Sequence, residues 1–190
     1  MDTNKLLEIR WHGRGGQGGV TSAELLALAA IAEGKYGQAF PSFGPERRGA
    51  PVQAFNRVDG DAPIRIRAEI LEPDVVVVLD PGLLSIMDVA SGLKAGGIVI
   101  INTRKSVAEI SAEFGIKATI ATVNATAIAK ELLGVPIVNT TMLGAVLKGT
   151  GVVSKESLEG PIGHRFGHLA ERNVRAMQQA FNETVIEELA

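Results

Sequence analysis

Glycine fills five of the seven positions in Gly13-Arg14-Gly15-Gly16-Gln17-Gly18-Gly19. This stretch separates an apolar-alternating run, Leu7 to His12, from an Ala/Leu-rich run, Val20 to Glu33. A loop without side-chain bulk turns tightly and lets another backbone or an anion come close. The first turn of a following helix offers unpaired N–H groups and a positive dipole end. Gly13, Gly15 and Gly18 also match the G-x-G-x-x-G dinucleotide pattern. That pattern calls for an acidic residue about 20 positions on, at the end of the second strand. Here the second strand candidate, Gln38 to Phe43, carries no carboxylate. Any strand-to-helix crossover in an α/β protein has a similar use for glycine.

The densest polar cluster is Ser42-Phe43-Gly44-Pro45-Glu46-Arg47-Arg48-Gly49-Ala50-Pro51. Its paired arginines suit carboxylate or phosphate groups, on an anion or on a partner chain. The plainer reading is a solvated loop in which Glu46 pairs with a neighbouring arginine. Asp80 ends an apolar strand, where ligands of open α/β sheets collect, and could equally cap the next helix. His12, His164 and His168 show no metal-ligand spacing beyond one i, i+4 pair interrupted by Gly167, so all three are read as non-metal histidines. No G-x-S-x-G nucleophile elbow or Ser-His-Asp order is present. These residues supply an anion-friendly loop and no complete catalytic set, which points to a subunit rather than a self-sufficient enzyme.

The elements that must position these loops alternate. The Val20–Gly34 run predicts a helix. Gln38–Phe43, Val52–Val58 and Ile64–Arg67 are strand candidates, and Asp59-Gly60-Asp61 predicts a hairpin turn between the last two. Val75 to Leu79 is a β-branched run of the kind found in a central parallel strand. Leu83–Leu93 reads as a helix and Ile98–Ile101 as a buried strand. Ser106 and Glu109 form a capping-box pattern for a helix over Val107–Phe114, closed by Gly115. Thr119–Val123 is a strand, and Asn124 caps a helix over Ala125–Leu133. Three helices then follow without strands, over Asn139–Lys148, Ser154–Glu159 and His168–Glu188. The expectation is one α/β domain over 1–190: a mostly parallel sheet with flanking helices, an inserted antiparallel hairpin and a helical C-terminal section.

Composition narrows the function. With 19 basic and 21 acidic residues in 190, the net charge of −2 gives no basic surface for nucleic acid. The chain has no cysteine. It therefore has no disulfide, no thiol nucleophile and no thiolate for an iron–sulfur cluster. No leader-like start and no membrane-length apolar run is seen, so a soluble cytoplasmic protein is expected.

Five segments, taken in order, resemble one family: His12–Gly18, Phe40–Val52, Glu72-Pro73-Asp74, Leu79-Asp80-Pro81 and Asn139–Gly144. Together they are similar to the gamma subunit of 2-oxoacid:ferredoxin oxidoreductases, closest to the pyruvate (pyruvate synthase) and 2-ketoisovalerate types. Phe43-Gly44-Pro45 favours pyruvate over the 2-oxoglutarate branch. The resemblance implies an enzyme that converts a 2-oxoacid to acyl-CoA and CO2 while reducing ferredoxin. It implies alpha, beta and delta companion subunits that hold thiamine diphosphate and iron–sulfur clusters, with coenzyme A as acyl acceptor and no cofactor bound by this chain alone. No catalytic or metal residue is then expected here. The expected ligand- or subunit-facing positions are Gly13, Arg14, Gly15, Gly16, Gln17, Gly18, Gly19, Ser42, Glu46, Arg47, Arg48 and Gly49. A 2-ketoisovalerate-type or other 2-oxoacid paralogue, a free-standing dinucleotide-binding oxidoreductase and a pure scaffold are the alternatives.

Overall fold

The computed structural model describes residues 6–42 and 49–188. Strand β1 (Leu7–Arg14) leads through the glycine loop into helix α1 (Gly19–Ala32), then to β2 (Tyr36–Pro41) and β3 (Pro51–Asp59). The second half holds β4 (Val75–Val78), β5 (Ile98–Asn102), α2 (Val107–Phe114), β6 (Thr119–Val123), α3 (Ala125–Leu133), α4 (Asn139–Thr150), α5 (Glu156–Phe166), α6 (Ala170–Glu183) and β7 (Val185–Glu187). All seven strands form one sheet in the order β2-β3-β1-β4-β5-β6-β7. β1, β4, β5 and β6 are mutually parallel, while β3 runs against both β1 and β2, and β7 against β6. Five of the seven strands therefore share one direction.

Alternation along β1 sends Leu7, Ile9 and Trp11 into the larger apolar core, shared with α1, α3, α4, α5 and α6. A second core on the opposite face holds Val76, Val78, Val99 and Ile101 with Val107 and Ile110 of α2. The valine run of β4 is thus buried on both faces, as its unbroken apolar sequence demands. The chain leaves β1 toward β2 on one side and leaves β4 toward β5 on the other. The gap between the C-terminal ends of β1 and β4 is consequently the point where the winding reverses, the usual ligand crevice of such sheets.

Three expectations require correction. Ile64–Arg67 is not a strand, and the antiparallel hairpin is made by β2 and β3. Leu83–Leu93 is not a helix: one 3-10 turn over Pro81–Ser85 gives way to irregular chain. Both misses share a cause in buried arginines. The Arg10 guanidinium on β1 donates to the carbonyls of Ile70, Leu71, Val89 and Ser91 at 2.5–3.3 Å. Arg57 Nη1 donates to Ile66 O at 3.2 Å. Side-chain donors satisfy carbonyls that would otherwise need a sheet or helix partner. The last helix also stops early, at Glu183. Thr184-Val185-Ile186-Glu187 leaves it, and β7 pairs with β6 in a run rich in β-branched residues. The α2 capping box, the Asn124 cap and the glycine stops at Gly115 and Gly134 lie where the sequence puts them.

Candidate functional site

The glycine loop is pinned from below. Asp80, the first residue after Leu79 at the end of β4, holds three donors: Arg14 Nε at 2.8 Å and Gln17 Nε2 at 3.1 Å on Oδ2, and Gly82 N at 2.8 Å on Oδ1. Gln17 closes the turn on itself. Its Oε1 accepts from Arg14 N at 2.7 Å, and its own N–H donates to Arg14 O at 3.0 Å. Asp80 fills the capping role, on the 3-10 turn, and lies at the sheet's crevice. The crevice is bridged by an ion pair of the protein's own making. A pyrophosphate there would meet the Asp80 carboxylate, with the Arg14 guanidinium already committed.

The structure also brings the two loop signatures together. Gly15 N donates to Ala50 O at 3.0 Å, Gly49 N to Gly15 O at 3.3 Å, and Arg14 Nη1 to Gly49 O at 3.1 Å. Gly49 has φ 81°, a conformation that favours glycine. Ser42 N donates to Gln53 O at 2.9 Å, holding the other end of that loop on β3. Glu46, Arg47 and Arg48 lie outside the described residues. Gly13 sits at the buried end of β1, Gly16 (φ 95°) is open to solvent, and Gly18 (φ 81°) is the N-cap of α1. A Cβ on Gly18 would lie 2.8 Å from the Asn139 amide, so only glycine lets α4 start against the loop. Ser22 Oγ donates to both Gly18 O (3.1 Å) and Asn139 O (3.0 Å), locking that approach.

Asn102 was not anticipated as part of this site. It ends β5, donates to Leu79 O and Thr126 Oγ1 at 2.9 Å each, and accepts from Thr126 N at 3.1 Å. The ends of three parallel strands are therefore tied by polar side chains. A buried Asn closing a β-branched run was the available sequence signal.

Glu8, Arg10, His12 and Arg14 form a polar row on one face of β1. Glu8 meets Arg57 at 2.8 Å and Lys94 at 3.1 Å. Lys94 also reaches Asp74 at 3.0 Å. Burial would lower the Lys94 pKa, but its bonds to Asp74 and Glu8 outweigh that and raise it. Arg10 Nε donates to His12 Nε2 at 3.0 Å, which puts the imidazole proton on Nδ1. That nitrogen is buried without a hydrogen-bond partner among the described residues. Burial first, and the Arg10 charge second, push the His12 pKa down to about 3, so the ring is neutral. His164 and His168 are exposed, near the end of α5. Among the described residues no cluster of three metal-ligating side chains occurs. No helix there is long and apolar enough to cross a membrane.

Fold and crevice define an open α/β sheet whose switch-point gap is bridged by the Arg14–Asp80 ion pair. A sequence profile of the pyruvate ferredoxin/flavodoxin oxidoreductase family matches residues 8–183. The pyruvate/ketoisovalerate oxidoreductases common subunit gamma of Thermococcus kodakarensis is 59% identical over 186 residues, covering 97% of this chain and 100% of that protein. The pyruvate synthase subunit PorC of Methanothermobacter thermautotrophicus is 52% identical, covering 94% and 96%. The crystal structure of the pyruvate oxidoreductase subunit PORC of Thermotoga maritima superposes with a TM-score of 0.85 at 39% identity, over 97% of this chain and 99% of that one. A 2-oxoglutarate:ferredoxin oxidoreductase from Magnetococcus marinus shares the fold (TM-score 0.70, 21% identity). There, 94% of this chain matches only 30% of the longer polypeptide. The chain belongs to the pyruvate ferredoxin/flavodoxin oxidoreductase family, as a gamma-type subunit of the 2-oxoacid:ferredoxin oxidoreductases.

Proposed function

We propose that this chain, acting as one domain over 1–190, is the gamma subunit of a cytoplasmic enzyme that oxidatively decarboxylates pyruvate to acetyl-CoA and CO2 and reduces ferredoxin. Alpha, beta and delta companions would hold the thiamine diphosphate, which would supply the electron sink for decarboxylation, and the iron–sulfur clusters. A chain without cysteine has no thiolate to ligate a cluster, so the clusters do not fit here. A subunit common to pyruvate and ketoisovalerate enzymes, as the Thermococcus relative is named, leaves the choice of oxoacid to its companions.

The observation that carries the reading is the joining of Gly15 to Gly49 and Ala50. It brings the glycine loop against Gly49 and Ala50, the described end of the segment whose sequence carries Glu46, Arg47 and Arg48. This surface faces the thiamine-bearing subunits and borders the coenzyme A approach. The paired arginines of the sequence suit a phosphorylated acyl acceptor. The residues of this surface position and shield; none exchanges a proton or electron with the substrate.

Arg47→Ala and Arg48→Ala in the assembled enzyme test this. The expected result is a KM for coenzyme A raised roughly tenfold with the oxoacid KM unchanged, the loss of about 1.4 kcal/mol of binding. Intact assembly with both constants unchanged overturns it. Lost assembly with unchanged constants reduces the chain to a scaffold.

A further inference from the structure

Surface loops of folded proteins are normally polar, yet the link from α3 to α4 reads Gly134-Val135-Pro136-Ile137-Val138. Val135 is 43% exposed and Ile137 42%. Across from them, Leu169 at the corner between α5 and α6 is 42% exposed. Between the two lies a groove of about 190 Å³ lined by Leu133, Val135, Ile137, Phe166 and Leu169, with Arg172 at its edge. Asn139 also lines it, and the same residue packs on Gly18, so the groove adjoins the glycine-loop surface.

Arg172 lines the groove, and Arg165 and Arg175 are exposed within seven residues of it in the chain. None of the three arginines makes an ion pair with another described residue. Glu171, exposed beside Arg172, is the one acid between residues 164 and 175, and like Arg165 and Arg175 it lies outside the groove's lining. A chain of net charge −2 thus sets three arginines without an ion pair among the described residues, against one glutamate, at the corner that carries this apolar slot. Contiguous exposed apolar surface with a charged rim marks a protein contact, and the rim sets the partner's charge.

We propose that this groove seats an acidic peptide segment of a companion subunit. Its apolar side chains fill the slot between Ile137 and Leu169, and its carboxylates meet Arg165 and Arg172. The proposal rests on the subunit reading and names a second contact for it. Because the tests below read contact rather than turnover, their failure leaves that reading standing.

The test uses the purified enzyme complex with a photoreactive phenylalanine analogue in place of Ile137, an exposed position. Irradiation is expected to give an adduct on a companion chain, within a peptide rich in Asp and Glu. An adduct on a second copy of this chain, on a peptide without acids, or none at all, overturns the proposal. In parallel, Arg172→Glu is expected to weaken binding to the gamma-depleted complex roughly tenfold and to flatten its salt dependence. Wild-type affinity and salt dependence overturn it.

Discussion

Arg14, the last residue of β1, and Asp80, just beyond β4, meet at 2.8 Å across the point where the sheet's winding reverses. The pair has Gln17 and Gly82 as further partners of one carboxylate, so it fixes the loop rather than merely decorating it. Asp80→Asn keeps an oxygen for the Gly82 N–H but loses the charge. Asp80→Ala loses both. The expected stability losses are about 1 kcal/mol and about 2 kcal/mol, discounted for partial exposure. Amide exchange at Gly15 and Gly49 should accelerate in both variants, which NMR or mass spectrometry would read.

Asn56 is fully buried and ties three elements. It accepts from Trp11 Nε1 at 2.8 Å and donates to Ala23 O at 2.7 Å and Gln38 O at 3.2 Å. Asn56→Leu matches its size but strands the Trp11 Nε1–H and takes one bond from each of the two carbonyls. A loss of roughly 3 kcal/mol or more in urea unfolding is expected, because unsatisfied buried polar atoms each cost 1–3 kcal/mol.

Gly144 and Gly163 make a contrasting pair. A Cβ on Gly144 would lie 2.0 Å from Met177 O, where α4 meets α6, whereas one on Gly163 meets nothing within 4 Å. Gly144→Ala should cost about 2–4 kcal/mol by prying the helices apart. Gly163→Ala, inside α5, should stabilise by about 0.5 kcal/mol through reduced unfolded-state entropy. Thermal unfolding of the two variants checks both signs.

Acid sensitivity follows from two groups. His12 has a folded pKa of about 3 against an ordinary 6.5, so the unfolded chain binds its proton first and stability falls as pH drops below 6.5. For Glu33, burial alone would raise the pKa. Hydrogen bonds from Ser157, Ser154 and Lys35 hold it at about 2 instead. Its contribution, on the order of 1 kcal/mol after solvent screening, is present above pH 4.5 and lost as pH falls toward 2. His12→Gln should flatten the stability profile between pH 6.5 and 3, and Glu33→Gln the limb below 4.5, each read from urea midpoints.

Much of the fold was legible because its signals are local. Ser106 with Glu109, Asn124, and the glycines at 115 and 134 act within one helical turn. The valines at 75–78 declare a doubly covered strand by composition. What was not legible depends on partners distant in sequence. Arg10 takes carbonyls 60 to 81 residues away and Arg57 takes that of Ile66, and the two expected elements they bind are irregular chain. The pairing of Gly15 with Gly49 and Ala50 is likewise tertiary, so the two signature loops read as separate features until the sheet joins them. Asp80 was readable as a strand-end carboxylate, but its debt to Arg14 and Gln17 was not.

The central claim is that this chain contributes surface and shape to an oxidoreductase whose reacting groups reside in its companions. The direct measurement is 2-oxoacid-dependent ferredoxin reduction by the purified chain alone, by the companion chains alone, and by the two recombined. The account predicts no turnover by the isolated chain and restored turnover on recombination. Steady turnover by the isolated chain, or companions as active without it as with it, would contradict the account.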